Sequence, residues 1–138
     1  MKLFQLKFIP QSVDFGLLIL RIWVGLTMLL NHGIGKAMNF SSMMEKFPDA
    51  IGIGRTPGLI LMIFAEVVCA AMIVAGWYTR FAALVLGFGM GVAFLVAHGA
   101  KLSNPGSGEL AFIYLAVTAA LFFSGPGRFS FDVKKGGI

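Results

Sequence analysis

Charge is scarce in this sequence. Eleven basic and six acidic side chains make up 12% of 138 residues, half of the roughly 25% that a soluble domain carries. Water is therefore not the main solvent. There is one cysteine, Cys69, which excludes an internal disulfide, a thiolate metal cage and dithiol redox chemistry within the chain. The basic residues form no aromatic-interleaved patch and match no nucleic-acid-binding motif, so the net charge of +5 reads as positive-inside bias and not as affinity for nucleic acid. Internal repeats and low-complexity tracts are missing, and a hydrophobic share of 58% excludes a disordered chain.

What the sequence does have fits lipid. Fourteen Phe, eight Met and eighteen Gly accompany a mean hydropathy of +0.88, as expected of helices that pack closely through small residues in a bilayer. Four apolar runs, at 14–32, 57–77, 81–98 and 109–124, are each long enough or nearly so to cross about 30 Å of hydrocarbon. None alternates with the period of a strand. The fold expected is all-α: a polytopic membrane protein with a four-transmembrane-helix bundle, one domain over 1–138. Lys2 and Lys7 precede the first run, but Arg21 interrupts it and no small-residue cleavage site follows, so it is expected to stay as a helix.

Turn chemistry separates the runs. Trp77-Tyr78 is an interfacial anchor after the second, and Gly125-Pro126-Gly127 ends the fourth. The one long connector, 33–56, contains Ser42-Met43-Met44-Glu45, whose capping-box spacing predicts a short helix ending before Pro48 that lies on the membrane surface or over the bundle mouth. Lys2, Lys7, Arg80, Arg128, Lys134 and Lys135 fall on one side against Lys36, Lys46, Arg55 and Lys101 on the other. That majority predicts cytoplasmic termini in a multi-pass protein of a bacterial or archaeal inner membrane.

Polar residues inside the apolar runs carry the functional information. An ionised group near the bilayer centre costs about 2.5–3.5 kcal/mol or more unless it finds a partner or water. Arg21 and Glu66 are of opposite sign. In antiparallel helices they lie roughly 10 Å from Asp14 and roughly 16 Å from Trp77, close enough in depth to be expected to pair. Such a pair either fixes helix register or floors a ligand or proton pathway.

A second set falls at the opposite end: His32, Lys36, His98 and Glu109, with Tyr114 below Glu109. Arg21 and His32, about three turns apart, share a helix face. The two histidines read as interfacial residues bonded to loop carbonyls or as site residues. Haem ligation is disfavoured, since two histidines are the bare minimum and no other haem signature exists. No motif fixes a zinc spacing, so no metal is expected. Ala83, Gly87 and Gly91 form a small-residue stripe for helix packing. The run Gly87-Phe88-Gly89-Met90-Gly91 follows no strand and is not a dinucleotide fingerprint.

Taken in order, Leu20-Arg21, Asn31-His32-Gly33 with Lys36, Glu66, Gly76-Trp77 with Thr79-Arg80, His98, Gly108-Glu109, and Gly125-Pro126-Gly127-Arg128 with Ser130 and Asp132 resemble the pattern of the DoxX family of small four-helix membrane proteins. The resemblance covers nearly the whole chain. It implies an inner-membrane protein in a functionally mixed family, some of whose members are linked to quinone-dependent oxidation of sulfur compounds or to oxidative-stress defence. Arg21, His32, Lys36, Glu66, His98 and Glu109 look like that family's polar set.

Two functions follow as expectations. One is a subunit of a quinone-linked membrane oxidoreductase, with the quinone head held by His, Glu or Arg and its tail between helices. The chain has no Fe–S, flavin or c-type haem motif, so a partner or the substrate supplies the electrons. The alternative is a non-enzymatic accessory subunit that stabilises a larger membrane complex through glycine-rich faces. Expected partners are the lipid bilayer and other membrane subunits or further copies of the chain; a small-anion carrier is disfavoured in four helices.

Overall fold

A computed structural model describes residues 4–136, and among these the chain is all-helical, without strands. Six helices result: α1 Val13–Met38, α2 Phe40–Met43, α3 Arg55–Ala75, α4 Thr79–Ala97, α5 Glu109–Ser124 and α6 Phe131–Lys134. Three of them, α1, α3 and α4, are long and apolar enough to cross a membrane. The fourth expected span, α5, has 16 residues, about 24 Å of helix and short of a full hydrocarbon core.

The distribution of polarity is that of a protein in lipid. Trp23, Phe88, Leu95 and Phe123 are well exposed, whereas Arg21, Glu66, Thr79 and Thr118 are buried. A soluble protein this apolar on the outside would aggregate. The buried apolar core is built from medium and small side chains, including Met28, Ala70, Ile73, Ala83 and Leu86, which lets helix backbones approach closely. On α1 that closeness is set at Gly25 and Gly33. A Cβ on Gly25 would lie 2.5 Å from Val74 Cγ2, and one on Gly33 would collide with the Glu66 carbonyl. The predicted stripe on α4 divides: Ala83 is buried, Gly87 faces Thr118 Oγ1, and Gly91 has nothing within 4 Å of its missing Cβ.

Helix ends are held by identifiable groups. Ser12 Oγ accepts from the Phe15 N–H at 3.2 Å and caps α1. Gly76, at φ 70, ends α3 in the left-handed conformation that glycine adopts without a Cβ penalty. The first amides of α4 are capped from across the molecule, because the Asp132 carboxylate accepts from Tyr78 N–H at 2.7 Å and Thr79 N–H at 3.0 Å.

Two expectations about elements are corrected. Helix α1 does not stop at Asn31-His32-Gly33 but continues through a π-type segment, Leu29–Gly33, to Met38. Gly33, which the run ending at residue 32 assigns to the connector, lies within the helix and serves interhelix contact. In the connector, the short helix is Phe40–Met43, and Ser42 sits within it, its hydroxyl donating to the Asn39 carbonyl at 3.0 Å. The capping-box reading therefore fails: Ser42 does not precede the helix. Of the residues counted for orientation, Lys2 lies outside the described residues.

Candidate functional site

Each of the three long helices contains one π-type turn: Leu29–Gly33 in α1, Phe64–Cys69 in α3 and Ala93–Ala97 in α4. Such insertions widen a helix locally and often mark functional sites. Here they carry His32, carry Glu66, and end at His98. The first two meet backbone to backbone at Gly33 and Glu66. This contact sets the reach between α1 and α3.

One turn beyond His32, Lys36 Nζ donates to both carboxylate oxygens of Glu66, at 2.6 Å to Oε1 and 2.5 Å to Oε2. The Glu66 side chain is 3% exposed and that of Lys36 21%. The pair is therefore charge-neutral and mostly withdrawn from water. Glu66 without its partner would be an isolated buried anion, far costlier than the pair.

The predicted Arg21–Glu66 pair does not form. Fully buried Arg21 points the other way, donating from Nη1 to the Ile73 and Val74 carbonyls at 3.1 Å each and from Nη2 to the Phe129 carbonyl at 2.6 Å. The cause is the end of α3, whose last carbonyls keep acceptor capacity, Ile73 O beside its bond from Gly76 N–H, and present the negative end of the helix dipole. Depth along the helices could not distinguish these outcomes. Arg21 belongs to a latch at the end of the bundle that Ser130, Asp132 and Gly76 also build, with Asp132 N–H donating to the Gly76 carbonyl at 2.9 Å.

At the opposite end His32, Lys36, Glu66, His98 and Tyr114 line one cavity of about 710 Å³. The remaining wall is largely apolar, drawn from α1, α3, α4, α5 and the connector, where Phe47 and Ile51 contribute. The connector thus folds over the bundle mouth. Tyr114 is 5% exposed, and its ring meets the His32 ring edge-on with centroids 6.0 Å apart. Among the described residues its hydroxyl has no hydrogen-bond partner, and a phenol in that position is free to donate to whatever enters the cavity. His98 Nδ1 lies 3.3 Å from the Gly106 carbonyl, which is the loop-carbonyl arrangement weighed for it from sequence. Gly108 packs so tightly there that a Cβ would lie 2.7 Å from that of His98.

Glu109 does not join this group. It is exposed at the start of α5 and does not line the cavity, because the helix begins with its side chain turned outward. Among the described residues no three His, Cys, Asp or Glu side chains gather as metal ligands. Sequence reasoning missed the Lys36–Glu66 pair. The available signal was the four-residue spacing of His32 and Lys36, which places both on one face only if the helix runs through Gly33.

The order of these polar groups along three apolar helices matches a known family. A sequence profile for DoxX covers residues 16–99. The chain belongs to the DoxX family. A protein of Haemophilus influenzae strain Rd, described as an uncharacterized protein, is 32% identical over 133 residues, covering 93% of each chain. No solved structure matches. The DoxX profile spans Arg21, both elements of the Lys36–Glu66 pair, the latch residue Gly76 and His98, and ends before α5.

Proposed function

We propose that this DoxX-family membrane protein is the quinone-binding subunit of an inner-membrane oxidoreductase system, spanning the bilayer four times with both termini in the cytoplasm. The observation that supports this most is the composition of the cavity: apolar walls around a neutral ion pair, a phenol and an imidazole. A quinone ring needs flat apolar surfaces and hydrogen-bond donors for its two carbonyl oxygens. Tyr114 Oη, His32 and Lys36 Nζ are donors of that kind among the cavity-lining residues. The residues fit the group.

A bound quinone would supply two-electron, two-proton exchange, with electrons passing to or from a partner protein or a small substrate. The chain's own residues bind and manage protons. Tyr114 orients the ring by donating from a hydroxyl that has no competing partner. Glu66 holds Lys36 in place, so that the ammonium is presented to the cavity without bringing net charge into it. His32, in edge contact with the Tyr114 ring, offers a ring N–H that can donate to a quinone oxygen. His98 stands at the mouth, where protons exchange with water.

The test is quinone extraction from protein purified in mild detergent, together with binding of added quinone. Wild-type protein is expected to retain quinone, and His32→Ala and Tyr114→Phe to lose most of it with little change in melting temperature. Absence of any quinone binding by the wild type would overturn the reading.

The accessory-subunit alternative is favoured by a different observation, an apolar groove of about 540 Å³ beside Gly91 on the outer face of α4 and α5. There the chain would seat another subunit and do no chemistry itself.

A further inference from the structure

The cavity that holds the polar cluster does not end at it. Phe64 and Phe88 line it, lie near the midpoints of α3 and α4, and are 39% and 65% exposed. Cavity-lining residues this exposed, at the same height on two neighbouring helices, mark an opening. At mid-helix the outside is hydrocarbon, not water. Leu61, one turn from Phe64, is likewise exposed and lines the same wall.

Gly89 sits on the α4 side of this opening. A Cβ placed there would meet only Met62 Sδ at 3.5 Å and Ala65 Cβ at 3.9 Å, ordinary contacts. A side chain at Gly89 would therefore enter the space between α3 and α4 without strain at its Cβ. Packing does not demand glycine at that position, although alanine is the more stable residue in a helix interior.

Resting on the quinone reading above, we infer that the gap between α3 and α4 is a lateral portal through which the isoprenoid chain of a membrane-dissolved quinone leaves the cavity into the bilayer. The charge of the polar cluster selects the class of occupant. Because Lys36 and Glu66 neutralise each other, the head-group end favours an uncharged ring over the carboxylate of a fatty acid or the phosphate of a phospholipid, each of which would enter as an unpaired charge. The portal favours a long apolar chain over a water-soluble ligand, since its outer rim is Leu61, Phe64 and Phe88 at hydrocarbon depth.

The experiment compares two ligands on the full chain in detergent: a polyprenyl-tailed ubiquinone and its tail-less ring, dimethoxy-methylbenzoquinone. Gly89→Leu should plug the portal, weakening the tailed quinone by about tenfold or more while leaving the tail-less ring within about twofold of wild type. Partition of the tail into detergent is common to both proteins and cancels. Unchanged affinity of Gly89→Leu for the tailed quinone, or equal losses for both ligands, would overturn the portal. A tailed quinone with a photoreactive group on its chain gives a second readout on the unaltered protein. It should label the Leu61–Phe64 and Phe88 peptides, and labelling confined to other helices would overturn the proposal. Binding of the tail-less ring to wild type tests the quinone reading separately: if the ring does not bind, that reading fails and the portal fails with it, whereas ring binding with no effect of the plug removes the portal alone.

Discussion

Lys36 and Glu66 show how one side chain changes the meaning of another. Glu66 is buried in an apolar helix, and with Lys36 bound it carries no net charge into the bundle. Removing one partner leaves the other uncompensated. Lys36→Met or Glu66→Gln alone should lower stability by up to about 3 kcal/mol, the low end for a broken buried pair because Lys36 is 21% exposed. The double variant should recover part of that loss in detergent melting, with a clearly non-additive cycle. Arg21 and Glu66 share no partner, so Arg21→Gln combined with Glu66→Gln should be additive within about 0.5 kcal/mol. Strong coupling there would mean that the two side chains interact after all. Tyr114 and His32 differ from these residues in having no such obligations, which is why their replacement should affect ligand and not fold.

Among the elements, the ends of α3, α4 and the C-terminal segment are held together by residues far apart in sequence. Asp132 caps α4 from 53 residues away at Thr79, and Arg21 ties α1 to the end of α3 and to Phe129. Asp132→Ala should cost about 0.5–2 kcal/mol, as loss of a helix cap does, and should increase hydrogen exchange at the Tyr78 and Thr79 amides. The small-residue stripe on α4 gives a second contrast. Gly87→Leu would drive a side chain into Thr118 and should lower the melting temperature markedly. Gly91→Leu meets open space and should leave melting nearly unchanged, so loss of a larger membrane complex in Gly91→Leu alone would point to the groove as a subunit interface. These outcomes separate packing within the chain from packing against another.

For the whole molecule, the latch and the cavity occupy opposite ends of the bundle. Arg80 and Arg128 lie with the latch, and Lys36 and Lys101 with the cavity end, where Lys101 contacts Gly108 and His98 through the backbone. In the orientation proposed above, which follows positive-inside bias, the latch faces the cytoplasm and the cavity mouth the outer face. A cysteine introduced at position 104 should react with a membrane-impermeant thiol reagent in intact cells. Cys69 is fully buried and should give little background. Reaction only after the cells are opened would invert the orientation and turn the mouth toward cytosolic substrates.

Composition and periodicity were enough to establish that the chain dissolves in lipid and is built of helices. Few charges, long non-alternating apolar runs and glycine-rich spacing determine helices in lipid, because hydrocarbon tolerates little else. The polar set His32, Lys36, Glu66, His98 and Tyr114 was also visible, since each residue is costly where it stands. Tertiary structure decided the partners. Arg21 could reach in either direction along α1, and only the packed end of α3, with its acceptor carbonyls, drew it away from Glu66. Lys36 reaches Glu66 only because α1 continues past Gly33 through a π-type turn whose backbone rests on that of α3. The spacing of His32 and Lys36 hints at the second event but cannot name the partner, because the helix ends and bulges that create both depend on contact between segments about 30 to 50 residues apart.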